Sequence, residues 1–145
     1  HGGMGFVEET GAAQYLRDAR ITTIYEGTTG VQAQDLVGRK TQRDGGRGAR
    51  ELLADIKATI DALGAADDSR AKLVACELAG GVAAVEASLA WLLEAAGSDA
   101  RLPGAASVHY LKLWGIVCGG WLLGQSALAC LAGAGEDAGW RSAKL

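Results

Sequence analysis

The apolar positions of this chain recur at helical spacing almost throughout. From Ala49 onward, Leu52, Leu53, Ile56, Ile60 and Leu63 fall on one stripe, with polar residues between them. Spacings of three and four residues put such positions on one face of a helix, so this stretch predicts an amphipathic helix. Gly64 to Ser69 follows as a turn, in which Asp68 or Ser69 is placed to cap the next helix. That helix is expected over about Ser69 to Ala96. It carries Leu78, Val82, Val85, Leu89 and Leu92 at alternating spacings of four and three, a stripe suited to a bundle. Gly80 and Gly81 interrupt it, each weakening a helix by roughly 1 kcal/mol relative to Ala unless another chain packs closely there. Close packing is the expected reason.

Gly97 to Gly104 reads as a loop, and a long helix is expected from about Ala105 to Leu131. From Leu113 to Gly133 it holds no charged residue, and Gly115/Gly119 and Gly120/Gly124 are both Gly-x-x-x-Gly pairs. Length alone would allow a membrane span. Its Gln125 and Ser126, its Gly and Ala content, and the stripes of the preceding helices point instead to a bundle helix, with its glycines as packing contacts. Residues from Gly133 on read as a polar, frayed end.

The first third is organised differently. Glu8 to Ile21 predicts a helix, with Ala12, Leu16 and Ala19 on one face and Glu8 and Glu9 in the first turn. Arg17-Asp18 near its end reads as a solvated or interhelical ion pair. The β-branched and aromatic run Ile21 to Tyr25 suits extended chain. A second helix is expected from about Thr29 to Thr41, because Thr29 and Gln32 have capping-box spacing. Glu26 then lies in a helix–helix elbow just outside a helix N-terminus. The helix end favours its ionised form, and burial against an apolar ligand favours the neutral one. A carboxylate under such opposed influences can act as a proton-abstracting base, or simply cap the helix. Thr41 to Gly48 is polar and holds three glycines, which reads as a linker.

Composition adds little. The 145 residues are 49% hydrophobic and include 22 glycines and one proline, which fits an all-α chain packed through small residues. A net charge of −3 argues against a nucleic-acid surface. Cys76, Cys118 and Cys130 show no Cys-x-x-Cys spacing, so neither a disulfide framework nor a metal site is indicated, and a reducing cytoplasm is expected. His109 reads as an ordinary helix residue.

Three blocks in register carry a resemblance: Gly2-Gly3-x-Gly5-Phe6, then Tyr15-Leu16-Arg17-Asp18-Ala19-Arg20-Ile21, then Ile24-Tyr25-Glu26-Gly27-Thr28. Together they resemble the C-terminal end of acyl-CoA dehydrogenases. Tyr110-Leu111-x-Leu113-x-Gly115 and Gly119-Gly120-Trp121 resemble the extra helical domain of one bacterial branch of that family, which includes enzymes for 3-methylmercaptopropionyl-CoA. The resemblance implies a C-terminal fragment, inactive alone. Residues 1–41 would end the catalytic helical domain, 42–48 would link, and 49–145 would form the extra domain. It further implies that Glu26 removes the α-proton of an acyl-CoA thioester while FAD takes the β-hydrogen as hydride. Gly27 would lie against the substrate, and Gly2, Gly3, Thr28 and Thr29 would touch FAD. Gly30 stands where many relatives carry a Gln that bonds to FAD. An electron-transfer flavoprotein or similar acceptor and a homo-oligomer, dimer or tetramer, are implied partners. The second reading is a non-enzymatic helical interaction module, membrane-associated, in which Glu26 only caps a helix.

Overall fold

The computed structural model describes residues 1–25 and 27–133. Among them the structure is helical without strands, as expected for an all-α chain. The α-helices are α1 (Ala12–Ile21), α2 (Thr29–Asp35), α3 (Arg47–Ala65), α4 (Ser69–Ser98) and α5 (Arg101–Leu131). Short 3-10 turns cover Gly2–Gly5 and Glu8–Thr10, and a π-helix covers Leu36–Gln42. The chain divides into two compact units, His1–Gln32 and Ala33–Leu145.

The second unit is a bundle of α3, α4 and α5, with the π-helix against its side. The stripes read from the sequence form its core. Leu53 and Ile56 of α3, Leu78, Val82, Val85 and Leu92 of α4, and Tyr110, Trp114 and Val117 of α5 are buried together with Val37. Leu63, Ala71, Ala75 and Ala127 make a second cluster. Trp121 donates its indole N–H to the Thr59 hydroxyl at 2.7 Å, satisfying two half-buried polar groups between α3 and α5. At the surface, Lys57 pairs with Glu86 at 2.6 Å across α3 and α4.

The boundaries depart from expectation where side chains cap the helices. The polar stretch expected as a linker is a tight turn, with Gly45 and Gly46 at φ of 64° and 78°. Asp44 accepts from Gly46 N at 2.8 Å and Gly48 N at 2.9 Å, and those backbone bonds hold its carboxyl below the ordinary range. The helix α3 therefore starts at Arg47. The loop expected over Gly97 to Gly104 shrinks to Asp99 and Ala100, and Pro103 is buried inside the first turn of α5. There the missing N–H of proline would have no intrahelical partner anyway.

Asp68 caps α4, accepting from the N–H groups of Arg70 at 2.8 Å and Ala71 at 3.3 Å. The Arg70 guanidinium, 2.9 Å away, and these N–H groups lower its pKa to about 2. A carboxylate whose pKa falls on folding stabilises the fold above its unfolded pKa, and that contribution is lost as pH drops through the folded value. Acid titration followed by helical ellipticity should show a loss of stability between about pH 4 and pH 2, and Asp68→Asn should flatten the slope in that window.

The glycines sort differently from expectation. A Cβ on Gly124 would meet Leu63 Cδ1 at 3.0 Å, and one on Gly81 would meet Val117 Cγ2 at 3.0 Å, so these two are close approaches. Gly120 has only ordinary contact with Leu78, and Gly80 and Gly119 face open space. The reading of Gly119 as a packing contact is thus corrected: its face of α5 is exposed. Gly124→Leu should cost roughly 1–3 kcal/mol, whereas Gly80→Ala should stabilise by up to about 1 kcal/mol through helix propensity. Paired urea denaturation curves of the two variants check the opposite signs.

Both α4 and α5 are long and apolar enough to cross a membrane by length and composition. In the bundle each turns one face inward: α5 buries Ser107, Tyr110, Trp114, Val117, Gly124 and Ala127. The Tyr110 hydroxyl lies in this interior without a hydrogen-bond partner.

Candidate functional site

The residues singled out from the sequence all belong to the first unit. Gly2 and Gly3 lie in the opening 3-10 turn, exposed, Gly2 at φ 54° with no atom near either Cβ position. Backbone so bare can be approached closely by a flat ring or a phosphate. The Thr10 hydroxyl ties this turn to the next by donating to Met4 O at 2.8 Å and Val7 O at 3.0 Å. Gly11, at φ 73°, is the N-cap of α1, which starts at Ala12, four residues later than the helix expected from Glu8.

Arg17 and Asp18 do not pair with each other as an isolated ion pair. The Arg17 guanidinium reaches Glu8 at 3.3 Å and the Gln14 side-chain oxygen at 3.1 Å, while Asp18 accepts from Gln14 at 2.8 Å. Consecutive residues on a helix point about 100° apart, so each finds partners a turn away. The run Ile21 to Tyr25 is not extended either. Thr22 and Thr23 hydroxyls bond back to the carbonyls of Ala19 and Arg20 at 2.7 and 2.9 Å, and Tyr25 N bonds to Ile21 O at 2.8 Å. Such local bonds let threonine end a helix in turns where β-propensity alone suggests a strand.

Glu26, the expected base, lies outside the described residues. Its neighbours are placed. Tyr25 is 82% exposed, and Gly27 leads into Thr28, whose carbonyl accepts from Gln32 N at 3.1 Å. The first helical residue of α2 is Thr29, so Thr28 rather than Thr29 holds the position just before the helix. The Gln32 side chain turns to Gly27, and its amide nitrogen occupies the space that a Cβ there would need. A Cβ at Gly27 would therefore have to displace the exposed end of the Gln32 side chain. Gln32 was read from sequence only as half of a capping box. The glycine turn precedes α1 and the Gly27–Thr29 stretch follows it, separated along the chain by a ten-residue helix about 15 Å long. A shallow apolar recess of about 400 Å³, lined by Leu16, Arg17, Arg20, Ile21 and Ile24, lies along α1.

Comparison with known proteins gives this unit its context. The family model described as acyl-CoA dehydrogenase, C-terminal domain, matches residues 1–40, and that described as acetyl-CoA dehydrogenase C-terminal like matches residues 52–145. The chain belongs to the acyl-CoA dehydrogenase family. It is 50% identical, over its whole length, to the 3-methylmercaptopropionyl-CoA dehydrogenase of Ruegeria pomeroyi, of which it covers 25%. To a broad-specificity linear acyl-CoA dehydrogenase of Mycobacterium tuberculosis it is 36% identical over 90% of this chain and 22% of that protein. A rat mitochondrial short-chain specific acyl-CoA dehydrogenase is 57% identical over 37 residues, 26% of this chain and 9% of its own. The chain thus spans about a quarter of the first two relatives. No solved structure matches it. Both ends of the chain match the family, the first block holding the tyrosine–glutamate–glycine–threonine motif and the second most of the three-helix bundle.

Proposed function

We propose that this chain is the C-terminal part of an FAD-dependent acyl-CoA dehydrogenase, which oxidises the α,β bond of an acyl-CoA thioester to a trans-2-enoyl-CoA. The observation that carries the reading is the 50% identity along the entire chain to a protein named as an acyl-CoA dehydrogenase. The catalytic helical domain ends within residues 1–41, and the additional helical domain is built on α3, α4 and α5, with the π-helix Leu36–Gln42 and the Asp44 turn packed against it.

In this reading the Glu26 carboxylate accepts the α-proton, which the thioester carbonyl makes weakly acidic. FAD, which Gly2, Gly3, Thr28 and Thr29 would help to hold, would supply the acceptor for the β-hydrogen as hydride. Gly2 and Gly3 fit a flavin contact because their backbone is open, and Thr28 and Thr29 fit one because both are exposed at the start of α2. Gly27 borders the substrate, its bare backbone covered on one side by Gln32. The remainder of both pockets comes from outside this chain. An electron-transfer flavoprotein or similar carrier reoxidises the enzyme, a homo-oligomer of the cytoplasm.

The test is spectroscopic. The whole protein, purified, should show flavin absorbance, bleach when an acyl-CoA is added anaerobically, and rank a panel of acyl chain lengths by rate. A colourless protein that no acyl-CoA bleaches after FAD is supplied would refute the reading.

A further inference from the structure

One recess in the second unit combines apolar walls with polar groups that the bundle itself leaves unused. It has a volume of about 460 Å³ and lies where the π-helix meets α3 and α5. Leu36, Leu52, Leu111, Trp114 and Cys118 make its walls, and Gly115, with no atom near its Cβ position, leaves one side open. Lys40 is the one charged residue that lines it. Asp35 holds Arg39 at 2.9 Å and reaches Lys40 only at 4.0 Å, so the Lys40 ammonium is not committed to an ion pair. Thr41, beside it in the lining, is 1% exposed, and its hydroxyl makes no hydrogen bond among the described residues. Leu36, Lys40 and Thr41 all come from the π-helix, a rare form that is found mostly at functional sites.

We infer that this recess binds a small amphiphilic carboxylate, with its alkyl tail against the apolar walls and its carboxylate at the Lys40 ammonium and the Thr41 hydroxyl. An apolar hollow with a few polar groups at one side is the usual form of a small-molecule site, and its volume falls within the roughly 300–1,000 Å³ of such pockets. The sign of the ligand follows from the two polar groups. An ammonium only donates and a hydroxyl can donate, so together they suit an oxyanion, which accepts from both, and not a cation. An apolar side chain seated in the same place would leave the Thr41 hydroxyl buried without a partner and cover Lys40 with nothing to offset its lost hydration. The walls set the rest of the molecule: they carry no second charge, so the tail is a plain hydrocarbon. The ligand needs neither a thioester nor a flavin.

Isothermal titration of the whole protein with decanoate tests this, in the presence of a saturating acyl-CoA analogue that keeps any acyl pocket filled. Decanoate should bind, and each methylene removed on going to octanoate and hexanoate should weaken it roughly fourfold. Lys40→Glu should weaken decanoate at least tenfold and admit decyltrimethylammonium, which the wild type should reject. Thr41→Val, close to the same shape, should weaken decanoate while leaving the dependence on tail length unchanged. Gly115→Leu should abolish binding by filling the recess, with helical ellipticity unchanged because the position is open. A wild type that takes up no decanoate beside the analogue, an affinity indifferent to Lys40→Glu, equal binding of the carboxylate and the ammonium, or binding retained in Gly115→Leu would each overturn the proposal. A protein that binds decanoate in this pattern but takes up no flavin would refute the dehydrogenase reading and leave this one standing.

Discussion

Glu26→Gln in the whole enzyme should leave FAD and acyl-CoA binding close to normal while slowing flavin reduction by at least the roughly 10²–10⁴-fold typical of losing a general base. Glutamine keeps the shape of the side chain and its hydrogen bonding but cannot accept a proton. The chemical step must be isolated to see this, by rapid anaerobic mixing with excess acyl-CoA, because steady-state turnover also contains reoxidation by the electron carrier. Glu26→Asp should retain part of the rate, its carboxylate being withdrawn by one methylene. Near-normal bleaching in the Gln variant would return Glu26 to the role of a helix cap.

The largest effect on stability is expected at Ile56, where α3 meets α4 and α5 with no exposed surface. Ile56→Ala deletes methyl and methylene groups from the centre of the main cluster and leaves a cavity that three rigid helices cannot collapse to fill. The cost should be about 2–5 kcal/mol, a large share of the roughly 5–15 kcal/mol available to a domain. Urea denaturation should show the midpoint falling steeply. Ile24→Ala, at a position 67% exposed, should change it little by comparison.

These two predictions rest on unequal kinds of legibility. Ile56 could be read from spacing alone, because α3 alternates apolar and charged residues and its stripe has a clear phase. The same is true of α4, where all five of Leu78, Val82, Val85, Leu89 and Leu92 are buried. On α5 the phase is hidden, since apolar residues occupy both faces from Leu113 on. Periodicity could not tell that Gly124 packs against Leu63 while Gly119 faces outward. Helix ends were obscured by side chains bonding to backbone, as with Asp44, Thr22 and Thr23. Propensity weighs each residue alone and does not count those bonds.

The site is legible in another way. Nothing in hydrophobic spacing distinguishes Glu26 from a cap. The role proposed for it rests on the motif around it, whose neighbours Gly27 and Thr28 lie just before α2. At Gly27 the end of the Gln32 side chain lies against the bare backbone. The opening glycines are bare and lie apart from this stretch along the chain.

The most direct test of the account is hydrogen exchange at the α-carbon. The whole enzyme, incubated in D₂O with an acyl-CoA analogue that cannot be oxidised at its β-position, should wash deuterium into the α-position, since removing that proton needs only the base and no electron transfer. Glu26→Gln should abolish the exchange while still binding the analogue. Exchange persisting in the Gln variant at the wild-type rate would contradict the assignment of Glu26 as the base.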